Sequence, residues 1–223
     1  MQKLKVDSEN PENSIIEQAA EKLKNGGIVV CPNDTVYIFA ADATDPVAIG
    51  RVYDLKGRDC AKPIHVIVKN WEMVKDLCET NETAMKLYNE FLPGPLTIIL
   101  KKKSVVPDIL TANLPTLGIR IPNNPTTRAI SNLVDFPYTA TSANKSGEQN
   151  TYTAQEVLDQ LDEKDQALVD FIIDTGELPK VDPSTIIDCS LRLRSGQASP
   201  AKILRPGPIT QGQIESVLGM KVQ

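Results

Sequence analysis

Apolar positions recur with a helical period between Ile15 and Leu23, where Ile15, Ile16, Ala19, Ala20 and Leu23 form one stripe that stops at Gly26-Gly27. Ser14, with Glu17 three positions on, predicts a capping box at the start of that helix. The pattern then changes. Ile28-Val29-Val30-Cys31 is a continuous apolar run, the mark of a strand buried on both faces, and Pro32 ends it. A second helical stripe, Val47, Ile49, Val52, Tyr53 and Leu55, follows Asp45-Pro46, a cap followed by a residue favoured in the first turn. It runs into Lys56-Gly57-Arg58, and Ile64-His65-Val66-Ile67-Val68 leaves that loop as a strand.

Downstream, helices are expected over residues 72–78 and 82–91, the second capped by Thr80 or Asn81. The break at 92–95 precedes a strand, Leu96-Thr97-Ile98-Ile99-Leu100. A strand over 118–122 delivers Arg120, a helix follows from 125 to 133, and a short strand at 137–141 runs into the Ser142 loop. Thr153 and Glu156 predict another capping box. Strands are expected at 171–173, 185–188 and 201–204, and a helix at 213–218. Strands and helices mix without strict alternation, which predicts one α/β domain around a twisted mixed β-sheet with flanking helices.

Composition narrows the classes. A chain of 223 residues with 41% hydrophobic and 24% charged residues has ordinary globular usage and enough length for a real core. No apolar run approaches the ~20 residues of a membrane-spanning helix. Residues 1–7 lack the apolar region of a signal peptide, so the expectation is a cytoplasmic protein without a membrane partner. Cys31, Cys60, Cys78 and Cys189 are scattered and only one histidine, His65, accompanies them, which argues against a zinc site or a disulfide framework. A net charge of −5 disfavours a surface that coats nucleic acid. Lys101-Lys102-Lys103 has no interleaved aromatic residues and reads as a solvated strand end.

Two stretches carry candidate chemistry. In residues 55–63, Lys56, Arg58 and Lys62 surround Gly57, which can adopt backbone angles other residues avoid. Such a loop can hold phosphate or carboxylate, and taken alone it equally reads as a helix C-terminus whose cations complement the helix dipole. Residues 141–147, Thr-Ser-Ala-Asn-Lys-Ser-Gly, are dense in hydroxyl and amide groups. Thr35 and Tyr37 offer further hydroxyls after the first buried strand. No nucleophile–base pair is evident. Cations and hydroxyls suit phosphoryl or nucleotidyl transfer, where positioning and charge neutralisation supply most of the rate.

Together Lys56-Gly57-Arg58 and Ser142-Ala143-Asn144 match the K-x-R and S-x-N signature of the YrdC/Sua5 family, the threonylcarbamoyl-AMP synthases. The chain resembles that family in further ordered blocks: Pro32-Asn33-Asp34-Thr35-Val36-Tyr37, Leu92-Pro93-Gly94-Pro95-Leu96-Thr97, Gly118-Ile119-Arg120-Ile121-Pro122, Pro183-Ser184-Thr185-Ile186-Ile187-Asp188 and Ile203-Leu204-Arg205-Pro206-Gly207. It departs at Asn33, where the family has Thr, and at Ile38 and Ala40, where the family's Y-G-L-G has glycines. Lys62 stands where many relatives have Asn. Ile67 stands where many have His, and His65, two places away, is left outside the expected site.

The resemblance implies a YrdC-like fold with a concave ligand cleft, a single domain over 1–223 with its core at 13–210, in the short form without the extra domain of the longer branch. It implies the synthesis of threonylcarbamoyl-AMP and pyrophosphate from L-threonine, bicarbonate and ATP, with Mg²⁺ accompanying ATP and no dedicated protein metal site, for threonylcarbamoyladenosine in tRNA. The implied partners are those substrates, tRNA or double-stranded RNA, and a downstream threonylcarbamoyl transferase complex. Lys56 and Arg58 would stabilise charge on the departing pyrophosphate. Arg58, Lys62, Thr116, Ser142, Asn144, Asn150 and Arg205 would surround ATP, and Thr35, Arg120 and Ser184 would hold threonine. If the blocks converge, Lys56, Arg58, Lys62, Arg120, Lys145 and Arg205 would line one cleft. Alternative readings are a double-stranded RNA-binding module without synthase activity, a relative that forms carbamoyl-AMP, and a relative with a changed substrate.

Overall fold

The computed structural model describes residues 1–57, 62–190 and 201–223. Arg58 and Cys60 lie outside these. The chain opens with strand β1 (Gln2–Lys5) and helix α1 (Asn13–Lys24), which buries Ile16, Ala19, Ala20 and Leu23. The expected Ser14 capping box is not formed. The Glu12 carbonyl already accepts from the amides of Ile15 and Ile16, so the helix starts before Ser14 and its N-cap makes no side-chain bond. Strands β2 (Val29–Cys31) and β3 (Ile38–Ala40) are buried throughout and pair antiparallel, Val30 opposite Phe39. Helix α2 (Pro46–Lys56) has both predicted ends: Asp45 accepts from the Val47 amide at 2.8 Å, and Gly57 closes it at φ 54°, a left-handed conformation glycine takes without strain.

The middle of the chain forms β4 (Val66–Ile67), α3 (Trp71–Leu77), β5 (Cys78–Glu79), α4 (Glu82–Phe91), β6 (Leu96–Lys102), β7 (Thr116–Arg120) and α5 (Pro125–Leu133). Then come β8 (Tyr138–Thr139), β9 (Thr141–Ser142), α6 (Ala154–Asp159), α7 (Glu163–Gln166), β10 (Phe171–Asp174), β11 (Thr185–Asp188), β12 (Lys202–Arg205) and α8 (Gln211–Leu218). The capping box at Thr153 and Glu156 is present, and a second one at Thr210 and Gln213 starts α8 two residues earlier than its apolar pattern suggests.

The strands divide into two mixed sheets where a single one was expected. One runs β1-β10-β2-β3-β9; the other runs β12-β11-β6-β7-β4-β8, with β5 also on β6. Side chains alternate across each strand, so Val29, Cys31, Ile38 and Ala40 pack with α1 and α5, while Val30 and Phe39 join the larger core around Val52, Tyr53, Leu87, Leu100 and Ile119. Both faces of β2 and β3 are therefore covered, which explains their uninterrupted apolar sequence. The expected strand at 137–141 is split in two, because β8 pairs with β4 in the large sheet and β9 with β3 in the small one. Ala140 alone separates them, and its amide donates to the His65 carbonyl at 2.8 Å. The chain thus crosses from one sheet to the other within a single residue. Among the described residues no helix is long and apolar enough to cross a membrane.

Candidate active site

A cleft of about 390 Å³ opens at that crossing. Thr35, Val36 and Ile38 reach it from the turn into β3, Pro63 to His65 from the segment entering β4, Arg120 from the end of β7, and Ala140 to Ser142 from the crossing itself. Lys62, Asn150, Ser184 and Arg205 complete its wall. Strand ends put these side chains there: β7 ends on Arg120, β12 ends on Arg205, and β11 begins one residue after Ser184.

Arg120 is only 7% exposed. Its Nη2 donates to Asp34 Oδ1, which compensates a charge that would be costly to bury alone. Arg120 Nε, Asp34 Oδ2 and both polar atoms of the Asn33 amide are buried without a hydrogen-bond partner. On the other side of the cleft, Arg205 donates through Nε and Nη2 to the Ser184 carbonyl at 3.0 and 2.7 Å, and through Nη2 to Ser184 Oγ at 3.1 Å. Since a guanidinium only donates, Ser184 Oγ accepts from it, and the same oxygen shares a hydrogen bond with Thr97 Oγ1 at 2.9 Å. Burial, and then the positive charge of Arg120, hold the Arg205 pKa below its ordinary value. Two arginines with one carboxylate between them leave a positive cleft in an acidic protein, and an anion placed there relieves their repulsion.

Lys56 is engaged by the loop after β9. It is 4% exposed and does not reach the cleft lining. Its Nζ donates to the carbonyls of Ser142 (2.6 Å) and Asn144 (2.9 Å) and to Asn144 Oδ1 (3.1 Å). Asn144 Oδ1 also accepts from Ser142 Oγ at 2.6 Å, and its Nδ2 donates to the Glu148 carbonyl at 2.7 Å. The K-x-R lysine and the S-x-N asparagine thus hold each other behind the wall that presents Ser142, and neither contacts the cavity. Lys145 is likewise turned away, paired with Asp165. The Tyr37 hydroxyl is structural, donating to the Gly176 carbonyl at 2.9 Å and accepting from the Thr175 amide at 3.0 Å. Thr116 opens β7 opposite Lys101, on the Arg120 face but ~13 Å along the strand from Arg120, and does not line the cavity.

The structure therefore brings together Thr35, Lys62, Arg120, Ser142, Asn150, Ser184 and Arg205. Arg58 lies outside the described residues. Sequence reasoning left out His65, which lines the cavity. The signal for it was local: in the segment 64–68, side chains alternate, and His65 is the polar position on the side away from Ile64, Val66 and Val68.

Cys31, Cys78 and Cys189 are buried and do not line the cavity, and burial pushes their thiol pKa values up to about 12. Among the described residues no three His, Cys, Asp or Glu side chains gather to hold a metal ion. The donor set is one for anions.

Comparison with known proteins places the chain among relatives of the same fold. Residues 21–207 match the model of the Sua5/YciO/YrdC family, described as telomere recombination. A Methanocaldococcus jannaschii protein, named with a provisional qualifier as a threonylcarbamoyl-AMP synthase, is 36% identical over 89% of this chain and 93% of its own length. The threonylcarbamoyl-AMP synthase of Pyrococcus abyssi is 34% identical over 92% of this chain, which spans 57% of that longer protein. The crystal structure of P. abyssi Sua5 complexed with L-threonine superposes with a TM-score of 0.88 at 32% identity, covering 100% of this chain and 63% of that one. Escherichia coli YciO superposes with a TM-score of 0.79 at 26% identity, covering 93% and 96% of the two chains.

Proposed function

Because the chain belongs to the Sua5/YciO/YrdC family, we propose that its cleft joins L-threonine, bicarbonate and ATP into threonylcarbamoyl-AMP with release of pyrophosphate. The observation that carries this reading is the convergence of Arg120 and Arg205, with Thr35 and Ser184, in one cavity that Lys62, Ser142 and Asn150 extend. An amino acid and a nucleotide need such a divided site. Arg120 and Ser184 suit a carboxylate, Thr35 suits a hydroxyl, and Lys62 with Arg205 suits phosphate oxygens.

In this reaction the threonine amine adds to bicarbonate, losing water, to give an N-carboxy species. A carboxylate oxygen of that species attacks the α-phosphorus of ATP, and the bond to pyrophosphate breaks. The chain's contribution is to hold the two anionic partners against each other, a charge repulsion that Arg120, Arg205 and Lys62 offset. Mg²⁺ belongs to this reading as the companion of ATP, carried by phosphate oxygens and water. The product is a mixed anhydride, and its consumer is the transfer of the threonylcarbamoyl group to tRNA adenosine. An RNA-binding module is not favoured, since the M. jannaschii and P. abyssi relatives carry a synthase name.

The test is pyrophosphate release by the purified protein with ATP, Mg²⁺ and bicarbonate, with and without L-threonine. Threonine-dependent release is expected. ATP binding without release would mean a different co-substrate, and the absence of ATP binding would overturn the assignment.

A further inference from the structure

His65 lines the cavity, and its packing fixes how its ring is presented. A Cβ at Gly118 would fall 2.5 Å from His65 Cδ2, 2.9 Å from Cγ and 3.0 Å from Nε2. Nearly equal distances to three consecutive ring atoms put the glycine under the flat of the imidazole; approach at the ring edge would leave Cγ and Nε2 much farther away than Cδ2. The ring therefore lies face-down on the backbone of β7, and only glycine leaves room for it. Gly118 and Arg120 share one strand face, so the ring sits ~7 Å along β7 from the Arg120 backbone. It lines the cavity, half-buried, with Pro63, Ile64 and Ala140 beside it. Pro63 and Ala140 are apolar lining residues, Lys62 and Thr141 are the next positions along the same two segments, and among these the imidazole offers a flat aromatic face.

We propose that His65 is the platform on which the planar base of the nucleotide stacks, with Gly118 as the seat that keeps the ring flat. This rests on the reading of ATP as a substrate. Stacking is indifferent to hydrogen-bond pattern and is lost when the ring is removed, by about tenfold in affinity for one base on one aromatic side chain.

The experiment is an equilibrium titration of ATP and of inorganic tripolyphosphate, which lacks the base, against the wild type, His65→Ala, His65→Phe and Gly118→Ala. His65→Ala is expected to weaken ATP about tenfold and to leave tripolyphosphate within about twofold. His65→Phe keeps a flat ring and should hold ATP within about threefold of the wild type. Gly118→Ala lifts the ring and should reproduce the selective loss for ATP. Equal losses for both ligands would show that His65 meets the phosphates, and a His65→Phe protein as weak as His65→Ala would show that its nitrogens matter; either overturns the platform. Binding needs no turnover, so a wild type that binds ATP but releases no pyrophosphate with threonine would defeat the proposed reaction while the titration still decides His65. A wild type that does not bind ATP defeats both.

Discussion

Lys56 Nζ and Asn144 Oδ1, 88 positions apart in sequence, meet at 3.1 Å and are both buried. The last residue of α2 thereby ties the loop after β9 to the helix, and the tie is reinforced by the Ser146 amide, which donates to the Lys56 carbonyl at 2.8 Å. Phe39 lies 5.8 Å beneath the same ammonium. Replacing this cation with an isosteric apolar chain removes three charge-assisted bonds from the interior; Asn144 Oδ1 keeps the Ser142 hydroxyl and the Ser142 carbonyl keeps the Asn144 amide, while the Asn144 carbonyl loses its ammonium donor. Lys56→Met should lower the unfolding free energy by about 2–4 kcal/mol in a urea titration and displace Ser142. A Lys56→Met protein with full stability and a large loss of phosphate affinity would return Lys56 to the ligand.

Asp34 and Arg120 make a different bond between distant segments. Their side chains are 11% and 8% exposed, so the pair is shielded from salt. Asp34→Asn leaves the guanidinium charge buried and uncompensated, and should cost about 3–5 kcal/mol of stability, measured by denaturant unfolding at low and at high salt with similar results.

Arg205 grips one carbonyl with two nitrogens, a geometry that a lysine ammonium cannot copy. Arg205→Lys should keep the fold within about 1 kcal/mol, because the residue as a whole is exposed and only its guanidinium is partly covered, yet raise the apparent KM for ATP about tenfold. Steady-state kinetics with each substrate varied in turn would check this, and an unchanged KM for both would remove Arg205 from the site.

The C-terminal segment should loosen in acid. Glu215 of α8 accepts from Gln211 Nε2 and Lys221 Nζ at 2.9 Å and from the Val222 amide at 3.2 Å, and these bonds hold its pKa down from 4.5 to about 2. A carboxylate whose folded pKa is lowered stabilises the fold while it is ionised, above its unfolded value, and that contribution disappears as the pH falls from 4.5 towards 2. Val222 and Gln223 should therefore lose amide protection over that interval, and Glu215→Gln should remove the dependence. The Ile203 and Gln223 amides report the same event, since they donate to the Gln223 and Ala201 carbonyls.

Helices were legible wherever a cap and an apolar stripe coincided. Asp45, Asn81 and Thr153 all cap as their sequences suggest, and the α5 boundaries are those of its pattern. The strands β1 and β5 were not, because they bury too little to show a period and are defined by partners far along the chain. The division into two sheets was invisible for the same reason: nothing in Tyr138-Thr139-Ala140-Thr141-Ser142 says that its two halves pair with different neighbours. In the site, Thr35, Arg120, Ser184 and Arg205 line one cavity, whereas Lys56, Asn144 and Thr116 are not among its lining residues. A motif lysine reads as a ligand group until its three acceptors are seen, and a histidine reads as strand filler until the glycine beneath it is seen. Ile38 shows a similar ambiguity, since it lines the cavity, pairs with Ser142 and packs into the core on the α1 side.

The crossing at Ala140 leaves the two sheets joined along the cavity by very little chain, with Thr35 and Ser142 presented from the smaller sheet and Arg120, Ser184 and Arg205 from the larger. A molecule that fills the cavity is then a rivet between two bodies, and its binding energy becomes their mutual adhesion. Occupied, the sheets should open to solvent as one cooperative unit; empty, β3 and β7 are free to exchange their amides on separate clocks.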